Sequence, residues 1–102
     1  MKLTLGSRWM SAVCATEIVV VKAPPAELAL ECGGAPMVAI GSTRPPGAAP
    51  APDRSGGTLL GKRYADSTRR VELLCTKGGQ GSLALDGAAL AILATTPLPS
   101  SD

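Results

Sequence analysis

Histidine and phenylalanine are both absent from this 102-residue chain, and its aromatic residues are Trp9 and Tyr64 alone. Without histidine there is no Ser-His-Asp or Cys-His catalytic set and no imidazole ligand for a metal. Without phenylalanine the core must be built from Leu, Val and Ile, and it must be small. A core of that size in so short a chain usually needs a metal, a disulfide or a partner subunit. Charge of one sign is lacking too: ten basic against eight acidic residues leave +2, too little to imply nucleic acid or an anionic membrane. The Arg69-Arg70 pair and nearby Lys62-Arg63 alternate with Asp66 and Glu72, which reads as a solvated face. No run approaches the ~20 apolar residues of a spanning helix. The cysteines number only three, an odd count. Arg8 interrupts the short apolar run before Cys14, and Val13 is a poor residue before a cleavage site, so no export signal is expected there. Reduced thiols in a cytoplasm are the expectation.

The sequence has strands and turns. Glu17-Ile18-Val19-Val20-Val21-Lys22 is rich in β-branched residues, whose restricted χ1 suits a pleated surface. Ala23-Pro24-Pro25-Ala26 ends it. Glu27 to Cys32 then alternates, with Leu28, Leu30 and Cys32 on one face and Glu27, Ala29 and Glu31 on the other. This half-buried strand is predicted to pair antiparallel with 17–22. Gly33-Gly34-Ala35-Pro36 is a tight turn. Ahead of this unit, Lys2 to Leu5 reads as a short strand, and Trp9 as a core lid over the first turn. Gly41 to Gly57 is a Pro/Gly-rich linker or long loop with no face to bury. Beyond it, Thr58 to Tyr64 and Val71 to Thr76 are predicted strands. Ser82 to Leu85 and Ala88 to Ala94 form a hairpin across Asp86-Gly87. Ala88 to Ala94 could also make a short helix, but Thr95-Thr96-Pro97 closes it too soon. Pro97 to Asp102 is a tail. In both Leu30-Glu31-Cys32-Gly33-Gly34 and Leu74-Cys75-Thr76-Lys77-Gly78-Gly79, a strand ends at a cysteine followed by a double glycine. That echo fits two turns facing one point, or coincidence among 12 glycines. The expected architecture is all-β, with small antiparallel sheets or a partly open barrel. Residues 1–40 form a hairpin unit, 41–57 a flexible loop, and 58–102 a second β segment completing the same small domain.

Ser11-Ala12-Val13-Cys14, the strand at 17–22, the strand ending at Cys32, and Gly33, Pro36 and Met37 together resemble the desulforedoxin family and the rubredoxin-like N-terminal domain of desulfoferrodoxins. The resemblance covers residues 8–40. In that family a Cys-x-x-Cys knuckle, two strands and a Cys-Cys-Gly with Pro-Met behind it enclose one iron that passes single electrons. Cys14 and Cys32 stand at the second position of each pair. Ser11 and Glu31 stand where the family has the other two cysteines, so two of four thiolates are replaced. Members of that family pair as dimers, so the resemblance also permits a homodimer.

Three functional readings follow. The first is a non-catalytic β module without a cofactor, an interaction domain or accessory subunit that associates with itself or a larger protein through its sheet edges. The second rebuilds a zinc or iron site from Cys14, Cys32 and Cys75, with Glu31 or water as fourth ligand. The third makes one cysteine a redox or nucleophilic centre, which in the absence of histidine needs other support for its thiolate.

Overall fold

The β-branched run does form a strand, β2 (Glu17–Lys22), and the computed structural model, which describes residues 1–43 and 48–93, builds the larger of two sheets around it. Ile18 and Val20 are buried, while Val19 and Val21 on the other face are half-buried. The neighbours of β2 are β1 (Arg8–Met10) and β7 (Glu72–Lys77), both antiparallel. Outside these lie β5 (Val38–Ala39) on β1, then β6 (Arg63–Ala65) on β7 and β10 (Ala91–Ile92) on β6. The second sheet has the order β4 (Ala35–Pro36), β3 (Leu30–Cys32), β8 (Leu83–Leu85), β9 (Ala88–Ala89). The fold is all-β, two small antiparallel sheets, and neither closes into a barrel among the described residues.

The alternation read from the sequence places Leu30 and Cys32 inward, and both are fully buried. Their partner differs from the predicted one. The strand ending at Cys32 does not pair with β2; it pairs with β4 and β8 in the other sheet. Pro24 and Pro25 carry no N–H, and Ala26 donates to the Pro24 carbonyl at 2.9 Å. A tight hairpin return onto β2 is thereby lost, and the chain crosses to the second layer. The two layers share one core in which Ile18, Val20, Leu73 and Cys75 of the larger sheet meet Leu30, Cys32, Leu83 and Leu85 of the smaller.

Other segments are shorter than expected. Lys2 to Leu5 contributes one isolated bridge, Lys2 with Glu27, although Leu3 is buried. Of Thr58 to Tyr64 only Arg63 and Tyr64 belong to a strand; Gly61 has φ +80° and turns the chain, and Thr58 bridges Gly79 alone. The Asp86-Gly87 hairpin is present, with φ +50° and +84° at its two turn residues, the mirror-image turn whose twist matches the strands. Its second arm is split into β9 and β10, which join different sheets with half-buried Leu90 between them. Ala94 and the 97–102 tail lie outside the described residues.

Trp9 lies in β1, packs partly buried against the core and donates its indole N–H to Ser7 Oγ at 3.1 Å. Residues 44–47 of the Pro/Gly-rich stretch also lie outside the described residues. Its later part is tied to the second sheet: Ala51 N–H donates to Gly33 O at 2.9 Å and Ser82 N–H to Arg54 O at 2.8 Å, around a short 3-10 turn over Pro52–Arg54. Backbone hydrogen bonds hold a segment that has no apolar face of its own.

Candidate functional site

Cys14 sits in the six-residue loop joining β1 to β2, which is closed by Ser11 N–H donating to Thr16 O at 2.8 Å. Inside the loop, the Ser11 hydroxyl oxygen accepts from the Val13 and Cys14 amides, both at 3.1 Å. This folds Ser11-x-x-Cys14 into a knuckle, with the serine oxygen taking the amides that an open loop would leave unpaired. Cys32 is the last residue of β3, immediately before Gly33 (φ +68°) and Gly34 (φ +86°). A Cβ on Gly33 would lie 2.6 Å from Val13 Cγ2. Glycine therefore lets the two turns meet, and it brings the cysteines with them.

The Cys14 and Cys32 sulfurs are 3.8 Å apart, at the seam between the two sheets. Cys14 is partly exposed and Cys32 is fully buried. The Cys14 sulfur donates to Thr16 Oγ1 at 3.3 Å and accepts from Gly81 N–H at 3.4 Å. The loop between β7 and β8 roofs the pair. A Cβ at Gly81 would fall 3.0 Å from the Cys32 sulfur and 2.9 Å from the Gly33 nitrogen. One at Gly79 would collide with Thr16 Oγ1 and lie 3.1 Å from the Cys14 sulfur. Only residues without side chains let this loop descend so far.

The two thiols are electrostatically unequal. Burial pushes the Cys14 thiol up, but hydrogen bonds from Ser11, Thr16 and the Gly81 amide more than offset it and bring it down to about 7. When the proton leaves, the Thr16 hydroxyl can turn from acceptor to donor toward the thiolate. Burial, then repulsion from the neighbouring Cys14 charge, pushes Cys32 up to about 11. One thiolate is accommodated, and a second beside it is opposed.

The other predicted site residues lie apart from this pair. Cys75 is on β7 opposite Ile18, buried in the shared core, and its S–H donates to Lys77 O at 3.2 Å. Burial raises its thiol. Glu31 alternates with Cys32 along β3 and lines an open groove with Leu28, Pro36 and Asp86. Among the described residues no group of three or more Cys, His, Asp or Glu side chains is placed to hold a metal. The sulfur separation itself would suit one: two vertices of a tetrahedron with metal–sulfur bonds of ~2.3 Å lie about 3.8 Å apart. The donor set stops at two sulfurs, flanked by neutral hydroxyls that are weak ligands.

Sequence reasoning missed Thr16, Gly79 and Gly81. The repeated cysteine-plus-double-glycine pattern carried a partial signal, since Gly79 does reach the site while its cysteine, Cys75, does not. Compared with family models, curated proteins and solved structures, the chain matches none.

Proposed function

We propose that this chain is a small non-catalytic β module of the accessory or interaction kind, whose working part is a reversible dithiol–disulfide couple between Cys14 and Cys32. The observation that carries the reading is the 3.8 Å approach of two sulfurs supplied by different sheets. Closing the bond requires them to come to ~2.05 Å, a movement open to a loop cysteine facing a fixed strand residue. The couple releases two electrons and two protons on oxidation and takes them back on reduction. Partial exposure of Cys14 gives an exchanging thiol access to one sulfur while the other stays covered.

In this reading the partner is a second copy of the chain or a larger protein that draws on the couple. The compartment is a reducing cytoplasm, where the dithiol is the resting form. In this reading the Ser11-x-x-Cys14 turn keeps a knuckle shape, with a pair of thiols where the family that residues 8–40 resemble has a four-cysteine iron site.

Thiol titration of the native and denatured chain, before and after treatment with a thiol-oxidising azo compound, tests the couple. The expected result is that two of three thiols disappear, return on reduction, and map to a Cys14–Cys32 crosslink. Three titratable thiols after oxidation, or a crosslink through Cys75, would overturn it. Elemental analysis of the same sample supplies a further arm: about one zinc or iron per chain, with both thiols protected until denaturation, would replace the couple with a metal site.

A further inference from the structure

The proposed couple leaves open what oxidises it, and the seam restricts the choice. On the roof side both sulfurs face backbone, since Cβ atoms at Gly79 and Gly81 would fall 3.1 and 3.0 Å from Cys14 and Cys32 respectively. Next to Cys14 in its loop, Val13 packs close against Gly33. Cys14 is partly exposed, and an oxygen atom added to its sulfur disturbs these contacts less than a larger group does. Around the Cys14 sulfur stand the Thr16 hydroxyl at 3.3 Å and the Gly81 amide at 3.4 Å, polar groups that suit a small hydrogen-bonding reactant. Cys32 is fully buried and 3.8 Å away, within reach of Cys14 and shielded from the bulk.

We infer that the oxidant of this couple is a hydroperoxide, consumed once per oxidised pair, with Cys14 as the attacking thiol and Cys32 as the resolving thiol. This rests on the proposed dithiol couple. In the first step the Cys14 thiolate attacks the terminal peroxide oxygen. An S–O bond forms, the O–O bond breaks, and the leaving alkoxide or hydroxide takes up the proton that Cys14 gave to solvent. Two electrons pass from sulfur to the peroxide, leaving a sulfenic acid on Cys14. In the second step the Cys32 sulfur attacks the Cys14 sulfur. The S–S bond forms, the S–O bond breaks, and hydroxide leaves with the Cys32 proton as water. The sum is two thiols and one hydroperoxide giving one disulfide, one alcohol or water, and one further water.

The test uses the full chain in three forms, unchanged, Cys32→Ser and Cys14→Ala, each treated with one equivalent of hydrogen peroxide. Intact mass and labelling with a sulfenic-acid-specific dione are the readouts. The unchanged chain should lose two hydrogens and take no label. Cys32→Ser should gain one oxygen and take the label at Cys14. Cys14→Ala should react at least tenfold more slowly. Circular dichroism of each variant establishes that it is folded, and Cys75→Ala gives the unchanged result if the core thiol is a bystander. The inference is overturned if Cys32→Ser accumulates no sulfenic acid, or if Cys14→Ala reacts as fast as the unchanged chain. If the azo oxidant closes the disulfide but peroxide does not, the couple stands and the hydroperoxide assignment falls. If neither closes it, the couple falls with it. A chain that ignores peroxide but forms a mixed disulfide with cystine would assign the site to disulfide exchange instead.

Discussion

Three cysteines in one small fold occupy two kinds of surroundings. Cys75 lies in the middle of the β2–β7 pairing, opposite Ile18 and close in sequence to buried Leu73, where its sulfur fills core volume and its proton goes to a strand carbonyl. Cys14 and Cys32 lie where turns meet, among hydroxyls and backbone amides, with their sulfurs facing each other. The same side chain is a small hydrophobe in the first setting and a chemical group in the second. What separates them is the supply of donors to sulfur: glycine-lined turns expose amides, and a regular strand spends its amides on the ladder.

That contrast can be broken most severely from the core side. Leu73→Ala removes a fully buried side chain from the β2–β7 layer and should lower stability by ~2–5 kcal/mol, measured by denaturant unfolding, while the remaining folded protein keeps its fast Cys14 alkylation. If alkylation of the folded fraction slows as well, core and seam are not separable. Next is Gly79→Ala, where the new Cβ collides with Thr16. Overpacking of this kind costs ~1–3 kcal/mol, and here the damage should extend to the thiols, exposing Cys32 to a thiol reagent in the native state. Normal Cys32 protection in that variant would mean the roof does not shield the pair.

Smaller effects sharpen the comparison. Cys75→Ala should cost about 1 kcal/mol and leave the Cys14 alkylation profile where it was. For Cys14, with its thiol lowered to about 7, alkylation is slow below that pH, where sulfur is protonated, and levels off above it. Removing the hydroxyl by Ser11→Ala takes away one of the groups holding the thiolate, so the midpoint should move upward. It also leaves two amides without their acceptor, at ~1–3 kcal/mol of stability. A midpoint that stays in place would assign the lowering to Thr16 and Gly81 alone. Smallest of all, Lys77→Met breaks the long ion pair between exposed Lys77 and half-buried Glu17 at 3.9 Å and should change stability by less than ~1 kcal/mol, with no change at any thiol.

The local rules were legible wherever a residue's own chemistry decides the backbone. The Val-rich run, the alternation that turns Cys32 inward and Glu31 away, and the turn glycines at 33, 34 and 87 could be read directly, because χ1 restriction and positive φ are properties of single residues. Partner choice was not legible in that way. Nothing within Glu27 to Cys32 states that its ladder runs to Leu83–Leu85, since period-two alternation specifies a face and leaves the neighbour open. The same limit hid the roof over the thiols, where Gly81 reaches Cys14 across 67 positions. The Ala88 to Ala94 stretch read as one hairpin arm, since it is short and Thr95-Thr96-Pro97 follows it. Splitting it between two sheets depends on where each sheet ends.

That split has a mechanical consequence. Ala88–Ala89 is hydrogen-bonded into the smaller sheet and Ala91–Ile92 into the larger, with Leu90 spanning the step and its amide held by Leu83 at 3.0 Å. A single five-residue length of chain thus acts as a clasp between the two layers, one of which carries Cys32 in β3 while a loop of the other carries Cys14. Any motion that parts the layers has to break hydrogen bonds at one end of this clasp or the other, so opening the fold cannot be confined to one sheet.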